Sequence, residues 1–341
     1  MQQGILYTII GGYLGAGKTT LLNNLLRNSS GLRLAVLVND FGDINIDADL
    51  ITGHDGETIQ LAGGCICCSL ADGFALALNR LSKRTGQIDH IIVEASGVSD
   101  PVKLGQYGAI LRLHLDGVIV LVDAEQVREK AANKYVGETV IRQIKGADLL
   151  VLNKIDLVSH QELADVRAWL SGIAPDARIV DAAYGQVPLA VLLGASASGL
   201  TPSYEEVEGE GPEADSHQET YQTWSFTTRE PIPTARVHAL LDWLPDGVLR
   251  AKGFLQLVED PVHRYLLQLV GKRRQLTAGD PWGETGAETT LVFIGLPGSI
   301  RATDIARQLM DLPDPADEID FAHRRDGSAL VGHQGDGQPP A

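Results

Sequence analysis

A glycine-rich segment near the start of the chain has the spacing of a phosphate-binding loop. Residues 12–19 read Gly-Tyr-Leu-Gly-Ala-Gly-Lys-Thr and fit the pattern G-x-x-x-x-G-K-[ST] in full. Backbone N–H groups in such a loop surround phosphate oxygens at the start of a helix. We expect Lys18 to reach the β- and γ-phosphates and the Thr19 hydroxyl to bind Mg²⁺. The expected nucleotide contacts are Gly12, Gly15, Ala16, Gly17, Lys18, Thr19 and Thr20.

An acidic residue at the end of an apolar run is a second candidate. His90–Val93 is typical of a strand, and Glu94-Ala95-Ser96-Gly97 follows it. In P-loop proteins the acid at this place, the Walker B position, holds Mg²⁺, and a nearby glycine N–H meets the γ-phosphate. Glu is one methylene longer than Asp, so we expect Glu94 to act through water. Lys18 and Glu94 are the expected catalytic residues, and Gly97 is the expected γ-phosphate contact.

A third motif favours guanine over adenine as the base. Asn153-Lys154-Ile155-Asp156 follows another apolar run. The Asp156 carboxylate can accept hydrogen bonds from both N1–H and the N2 amine of guanine, a donor pair that adenine lacks. We expect Lys154 to lie along the base and Asn153 to brace the loop. The expected nucleotide is therefore GTP, and its intrinsic hydrolysis should be slow because no glutamine or arginine finger is identifiable.

All three cysteines of the chain lie within one short segment, as Cys65, Cys67 and Cys68. Cysteines this close cannot form a useful disulfide framework. Three thiolates around one centre suit Zn²⁺ first and Co²⁺ next, and leave one position open for an exchanging ligand. Inert buried cysteines and a thiol redox switch are the alternatives.

The elements that must position these motifs alternate between strands and helices. Continuous Val, Ile and Leu runs predict strands buried on both faces, and amphipathic stretches between them predict helices. This alternation predicts an α/β fold of the P-loop NTPase type with a mostly parallel sheet. The predicted strands are Ile5–Ile10, Leu34–Val38, His90–Val93, Gly117–Val122, Asp148–Asn153 and Ala177–Asp181, and the predicted helices include Thr19–Arg27, Asp72–Lys83, Pro101–Leu113 and Gln161–Ile173.

The chain of 341 residues changes character at an acidic segment that contains glycine and proline. We expect a P-loop GTPase domain with the cysteine motif over residues 1–199, a flexible linker over 200–220, a smaller α+β domain over 221–312 and a disordered tail over 313–341. In the smaller domain the pattern predicts an antiparallel sheet. Its predicted strands are Leu249–Val258, Arg264–Val270 and Thr289–Ile294, and its predicted helices are Ile232–Trp243 and Ile300–Met310.

Charge and hydropathy exclude several partners. The formal net charge of −16 argues against nucleic acid and anionic lipid as main partners. No run of eighteen or more apolar residues indicates a membrane span, and the first residues do not have the pattern of a secretory signal. We therefore expect a cytoplasmic protein. The sequence leaves open whether two copies form a homodimer.

The order of these motifs resembles that of the CobW-type metallochaperone GTPases, a family that also includes nitrile hydratase activators and zinc transferases. The resemblance covers about residues 5–312. It rests on the P-loop, Val38-Asn39-Asp40-Phe41-Gly42-Asp43, the C-x-C-C motif, Glu94–Gly97, Asn153–Asp156, the R-x-K-G of Arg250–Gly253 and the strand Val292–Gly295.

This resemblance implies GTP-coupled delivery of a metal ion to a client metalloprotein. It also makes Asp40 and Asp43 candidate metal ligands, at positions where the family usually carries Glu. Two other functions stay open. One is a GTP-dependent regulatory switch whose cysteines sense redox state, and the other is a small-molecule P-loop kinase, against which Asn153–Asp156 argues.

Overall fold

The computed structural model describes residues 5–29, 32–38, 57–60, 69–84, 86–111, 113–194, 221–283, 286–299 and 301–310. Within these ranges the chain forms two β-sheets with helices packed against them. The strands are β1 (Leu6–Gly12), β2 (Leu34–Val38), β3 (Glu57–Gln60), β4 (His90–Glu94), β5 (His114–Asp123), β6 (Leu149–Asn153), β7 (Arg178–Ala182), β8 (Gln222–Thr228), β9 (Val248–Leu255), β10 (His263–Val270), β11 (Arg273–Pro281) and β12 (Thr289–Gly295). The helices are α1 (Lys18–Arg27), α2 (Ser69–Ser82), α3 (Pro101–Ile110), α4 (Val127–Ala132), α5 (Gly137–Gly146), α6 (His160–Ile173), α7 (Leu189–Leu193), α8 (Thr234–Trp243) and α9 (Ala302–Met310).

The first sheet is parallel throughout, with the strand order β3-β2-β4-β1-β5-β6-β7. Its strands are apolar because helices cover both faces; every residue of β2, β4 and β6 is buried. Helices α1 and α7 pack on one face, and α2, α4, α5 and α6 pack on the other. The predicted parallel α/β fold is confirmed.

Because the strands are parallel, their C-terminal ends lie at one edge of the sheet, here called the carboxyl edge. Gly12, Glu94, Asp123, Asn153 and Ala182 end β1, β4, β5, β6 and β7 at this edge. The sequence motifs predicted for the nucleotide therefore converge on one side of the molecule.

One predicted boundary differs clearly from the structure. The helix predicted over Pro101–Leu113 ends at Ile110, and β5 begins at His114, earlier than predicted. Leu113 is buried but lies outside the helix, and the His114 N–H donates to the Ile5 carbonyl at 3.1 Å. The prediction therefore extended the helix into apolar residues that lead into β5.

The second sheet is antiparallel, with the order β11-β10-β9-β12-β8. Helices α8 and α9 cover one of its faces. Leu249 and Ile294, from β9 and β12, pack into the core of the first sheet. The edge strand β11 was not predicted because it has few apolar residues and is mostly half-exposed or exposed.

Two ion pairs, one of them fully buried, join the two sheets. Arg250 of β9 is 3% exposed and binds the Asp116 carboxylate of β5, with Nη1 2.7 Å from Oδ2. Arg273 of β11 binds Asp148 with Nε 2.8 Å from Oδ2. Gly271, between β10 and β11, has φ +53° and packs so closely that a Cβ there would overlap the Asp148 carbonyl. The sheets are therefore joined through buried charges and direct backbone contact.

Candidate nucleotide site

The P-loop leaves the first sheet at the carboxyl edge and leads directly into α1. Lys18, the first residue of α1, donates from Nζ to the Gly12 carbonyl at 3.0 Å, across the loop. Gly17 caps the helix with φ 103°, in the left-handed region, and a side chain there would collide with Asn153. Only glycine suits this position, because L-residues disfavour the conformation and no space is left.

The first turn of α1 brings Thr19 to the acidic residue at the end of β4. The Thr19 hydroxyl donates to Glu94 Oε1 at 3.3 Å, and Glu94 is 3% exposed. A hydroxyl and a carboxylate are oxygen ligands of the kind that Mg²⁺ prefers, so these residues fit that ion. Whether Glu94 acts directly or through water stays a prediction.

A buried glutamine fixes the turn that follows Glu94. Gln143, on α5, donates from Nε2 to the Gly97 carbonyl at 3.1 Å and to the Ser99 carbonyl at 2.8 Å. The Ser99 hydroxyl donates back to the Ser96 carbonyl at 2.8 Å. The turn that carries Gly97 is thus held from α5. Sequence reasoning missed Gln143, although a polar residue on the buried side of an amphipathic helix was a usable signal.

Asn153 joins the phosphate side of the site to the base side. Its Nδ2 donates to the Ala16 carbonyl of the P-loop at 2.9 Å, and its Oδ1 accepts from the Gly185 N–H at 3.0 Å. The residue is buried at the end of β6. One side chain therefore sets the distance between the P-loop and the loop after β7.

Lys154 and Asp156 have different surroundings. Lys154 has φ 63°, and its Nζ lies 2.7 Å from the buried Asp123 carboxylate at the end of β5. Asp156 lies on the short 3₁₀ turn Ile155–Leu157 and is exposed, so its carboxylate is open to a ligand. Sequence reasoning missed Asp123, although it is an acid at the end of an apolar strand, the same feature that singled out Glu94.

The loop after β7 closes the base side and was also missed. Tyr184 has φ 53° and an exposed ring, and its carbonyl accepts from Asn24 Nδ2 of α1 at 2.9 Å. Gly185, with φ 65°, lies against the backbone of Leu21. The loop is thus attached to α1 and, through Asn153, to β6.

The residues predicted to bind the transition metal, Cys65, Cys67, Cys68, Asp40 and Asp43, lie outside the described residues. The described part of the chain contains no group of three or more His, Cys, Asp or Glu side chains that could hold a metal ion. Nor does that part include a helix long and apolar enough to cross a bilayer.

Both parts of the chain match known families. Residues 6–181 match "CobW/HypB/UreG, nucleotide-binding domain", and residues 221–312 match "Cobalamin synthesis protein cobW C-terminal domain". The zinc chaperone CobW of Sinorhizobium sp is 32% identical over 329 residues, covering 85% of this chain and 92% of the relative. The zinc chaperone YjiA of Escherichia coli is 30% identical over 305 residues, covering 86% and 94%.

The crystal structure of the Zn(II)-bound YjiA GTPase from E. coli is 25% identical, covers 91% of this chain and 99% of that chain, and gives a TM-score of 0.43. The match over the nucleotide-binding region takes in the P-loop, Glu94 and Asn153–Asp156, the motifs whose geometry is described above. The matches to the two family models and the identities to CobW and YjiA show that the chain belongs to the CobW family.

Proposed function

We propose that this chain is a GTP-hydrolysing metallochaperone that takes up Zn²⁺, with Co²⁺ as second choice, and transfers it to a client metalloprotein. The chain is a GTPase of the CobW family, and its relatives CobW and YjiA carry the name zinc chaperone. The metal is the cargo, and GTP hydrolysis supplies the change that loads or releases it.

The main support for the proposal is the pairing of residues at the ends of three neighbouring strands, β3, β2 and β4. Gln60 at the end of β3 pairs with Val38 at the end of β2, and Val38 pairs with Glu94 at the end of β4. The chain toward Cys65 therefore leaves the sheet level with Glu94 and two strand spacings, roughly 10 Å, away from it. The chain toward Asp40 leaves between them. Both metal-binding segments thus start beside the γ-phosphate end of the nucleotide site.

The chemistry follows from these positions. Lys18 and the backbone of residues 12–20 hold the triphosphate, and Thr19 and Glu94 hold Mg²⁺, which neutralises phosphate charge. Gly97 meets the γ-phosphate. Asn153, Lys154 and Asp156 hold the guanine.

Cargo binding uses a different ligand set. Cys65, Cys67 and Cys68 bind the transition metal, with Asp40 and Asp43 as carboxylate ligands. The γ-phosphate orders the segment after β2, so hydrolysis changes the metal affinity. By reciprocity, bound metal changes the GTP affinity by the same factor.

The domain assignment completes the proposal. Residues 1–199 form the GTPase domain, 200–220 link it to a CobW C-terminal domain at 221–312, and 313–341 form a tail. We assign client docking to the C-terminal domain and place the protein in the cytoplasm. Measurement of the molecular mass in solution would show whether two copies form a homodimer.

Metal titration with a cysteine variant tests the coupling. The reduced protein should bind Co²⁺ stoichiometrically with thiolate-to-metal charge-transfer absorption, and Cys65→Ser/Cys67→Ser/Cys68→Ser should abolish that absorption. Zn²⁺ should change the affinity of the wild-type protein for a non-hydrolysable GTP analogue, and the variant should lose this response. Equal GTP affinities with and without Zn²⁺ would refute the coupling.

Two further results would favour the alternative functions. Absence of stoichiometric Co²⁺ binding to the reduced protein would favour a redox switch, and preference for ATP over GTP would favour a kinase. Transfer itself is tested by capture with a Glu94→Gln variant loaded with GTP, followed by metal analysis of the captured protein. Loading with GDP is the control, and equal capture in both states would exclude nucleotide-dependent delivery.

A further inference from the structure

A lysine without a role in any of the motifs lies against the P-loop. Lys130, on α4, donates from Nζ to the Leu14 carbonyl at 3.0 Å. The same Nζ lies 5.5 Å from the centre of the Tyr13 ring and 3.8 Å from the place that a Cβ on Gly15 would take. Three successive P-loop residues therefore surround one ammonium group.

Lys130 contacts a different part of the loop from the motif lysine. Lys18 bonds the Gly12 carbonyl at the start of the loop, whereas Lys130 bonds the Leu14 carbonyl in its middle. An ammonium group has three N–H donors and no acceptor. The Leu14 carbonyl takes one of the three, so Lys130 has donors left for phosphate oxygens.

The helix that carries Lys130 is fixed by the base side of the site. The Asp123 carboxylate accepts from the N–H groups of Glu125 at 3.0 Å and Gln126 at 3.2 Å, which sets the turn before α4. The other oxygen of the same carboxylate binds Lys154. One buried acid therefore positions both the guanine-side lysine and the helix of Lys130.

The side chain of Lys130 also has room to change its contact. A cavity of about 20 Å³, lined among others by Tyr13, Leu14, Lys130 and Gln143, separates the P-loop from α4 and α5. That volume holds about one water molecule. Lys130 is half-buried, so rotation of its flexible stem can move Nζ without moving the helix.

We propose that Lys130 is a second catalytic lysine, which leaves the Leu14 carbonyl and binds the β–γ end of the triphosphate when GTP is present. In hydrolysis, water attacks the γ-phosphorus, the bond to the β–γ bridging oxygen breaks, and that oxygen keeps the electron pair on GDP while phosphate and a proton are released. A cation at this end stabilises the charge that develops on the leaving GDP. The inference rests on GTP hydrolysis, and it supplies the cation in cis that the sequence motifs lack.

GTP hydrolysis kinetics with Mg²⁺ present and transition metals absent, measured on matched variants, test this role. Lys130→Met keeps an unbranched apolar stem without the charge, and Lys130→Arg keeps the charge. Lys134→Met is the control, because Lys134 also lies over a tyrosine ring, 4.7 Å from the centre of Tyr135, but within the described residues forms no hydrogen bond with the P-loop. We expect Lys130→Met to lower kcat by about tenfold to hundredfold, Lys130→Arg to recover part of it, and Lys134→Met to match the wild type.

Nucleotide affinities separate catalysis from mere support of the loop. Lys130→Met should lower the affinity for a non-hydrolysable GTP analogue more than the affinity for GDP, because GDP lacks the γ-phosphate. An unchanged kcat would overturn the inference, whether or not the affinities for the two nucleotides fall equally. Thermal unfolding without nucleotide checks that the variant is folded. If the wild-type protein itself hydrolyses no GTP, the proposed function fails; if it does and Lys130→Met is equally active, only this inference fails.

Discussion

Strands β1, β4 and β5 carry buried polar side chains in their N-terminal halves, and their role differs from that of the polar groups at the carboxyl edge. In their N-terminal halves Thr8, His90 and Asp116 are buried, and Thr8 bonds both His90, at 2.8 Å, and Asp116, at 3.3 Å. Arg250 of the second sheet closes this group from the other side. Each charge there has a fixed protein partner, so its role is to hold the two sheets together.

At the carboxyl edge Glu94, Asp123 and Asn153 are buried, but other polar groups are accessible. Lys18 and Lys154 are half-buried and Asp156 is exposed, and both lysines bond protein oxygens that a nucleotide can replace. Substitutions at the interface should therefore alter stability, whereas substitutions at the carboxyl edge should alter GTP binding and hydrolysis.

The largest effect should come from breaking the interface. Arg250→Met leaves the Asp116 carboxylate buried without its cation, which typically costs about 3–5 kcal/mol of unfolding free energy. Denaturant unfolding measures this loss. The control is Arg274→Met, which removes an exposed pair with Asp242 and should cost less than about 1 kcal/mol. Equal losses in the two variants would show that the buried interface pair contributes no more to stability than an exposed ion pair.

Next in size is the loss of the motif lysine at the carboxyl edge. Lys18→Ala removes the cation closest to the P-loop phosphates and should lower kcat/KM for GTP by about a hundredfold to a thousandfold. Its unfolding free energy without nucleotide should stay within about 0.5 kcal/mol of the wild type. A large loss of stability would contradict the division of roles between the two ends.

A smaller effect is expected at the base. Asp156→Asn replaces an acceptor-only carboxylate with an amide, so GTP should lose about 1.5–3 kcal/mol of binding, or roughly tenfold to a hundredfold in affinity. Xanthosine triphosphate, which presents a carbonyl where guanine has an amine, should bind the variant better than it binds the wild type. Unchanged base preference in competition binding would remove Asp156 from the base site.

The last prediction concerns pH and returns to the interface. Burial, opposed by Asp116 and aided by Arg250, lowers the pKa of His90 to about 4 from its ordinary value of 6.5. The folded state therefore keeps His90 neutral, while the unfolded state takes up a proton below pH 6.5. Stability from this group is complete above that pH and is lost as pH falls toward 4, by less than about 1 kcal/mol between pH 7 and pH 6 and by about 2 by pH 5.

Unfolding curves at several pH values measure this dependence. His90→Gln should flatten it, and the groups that face His90, namely Thr8, Asp89, Asp116, Arg250 and Lys252, remain in both proteins. An identical slope in wild type and variant would mean that other groups cause the acid sensitivity.

The parts of this fold that sequence reasoning found are encoded locally. The P-loop, Glu94 and Asn153–Asp156 each combine an apolar strand with a short polar motif, and both signals lie within a few residues. Parallel pairing then brings the motifs to one edge without further information.

The parts that it missed depend on contacts between distant residues. Lys130 and Leu14 lie 116 positions apart, and Arg250 and Asp116 lie 134 apart, so no local pattern pairs them. Arg250 was noticed only as part of R-x-K-G, and its buried partner became visible with the packing of the two sheets. The edge strand β11 was missed for another reason, since charged and polar residues suit an edge that has a neighbour on one side only.

The close approach of Gly271 to Asp148 has a consequence for how a signal could leave the nucleotide. A hinge at this joint would have to separate main chains that are in contact and break two ion pairs, the buried pair Arg250–Asp116 and the pair that Arg273 forms with the buried Asp148. The two sheets should therefore move together as one rigid body. If the second sheet binds the client as proposed above, the client would move together with the nucleotide-binding sheet and not on a separately hinged domain.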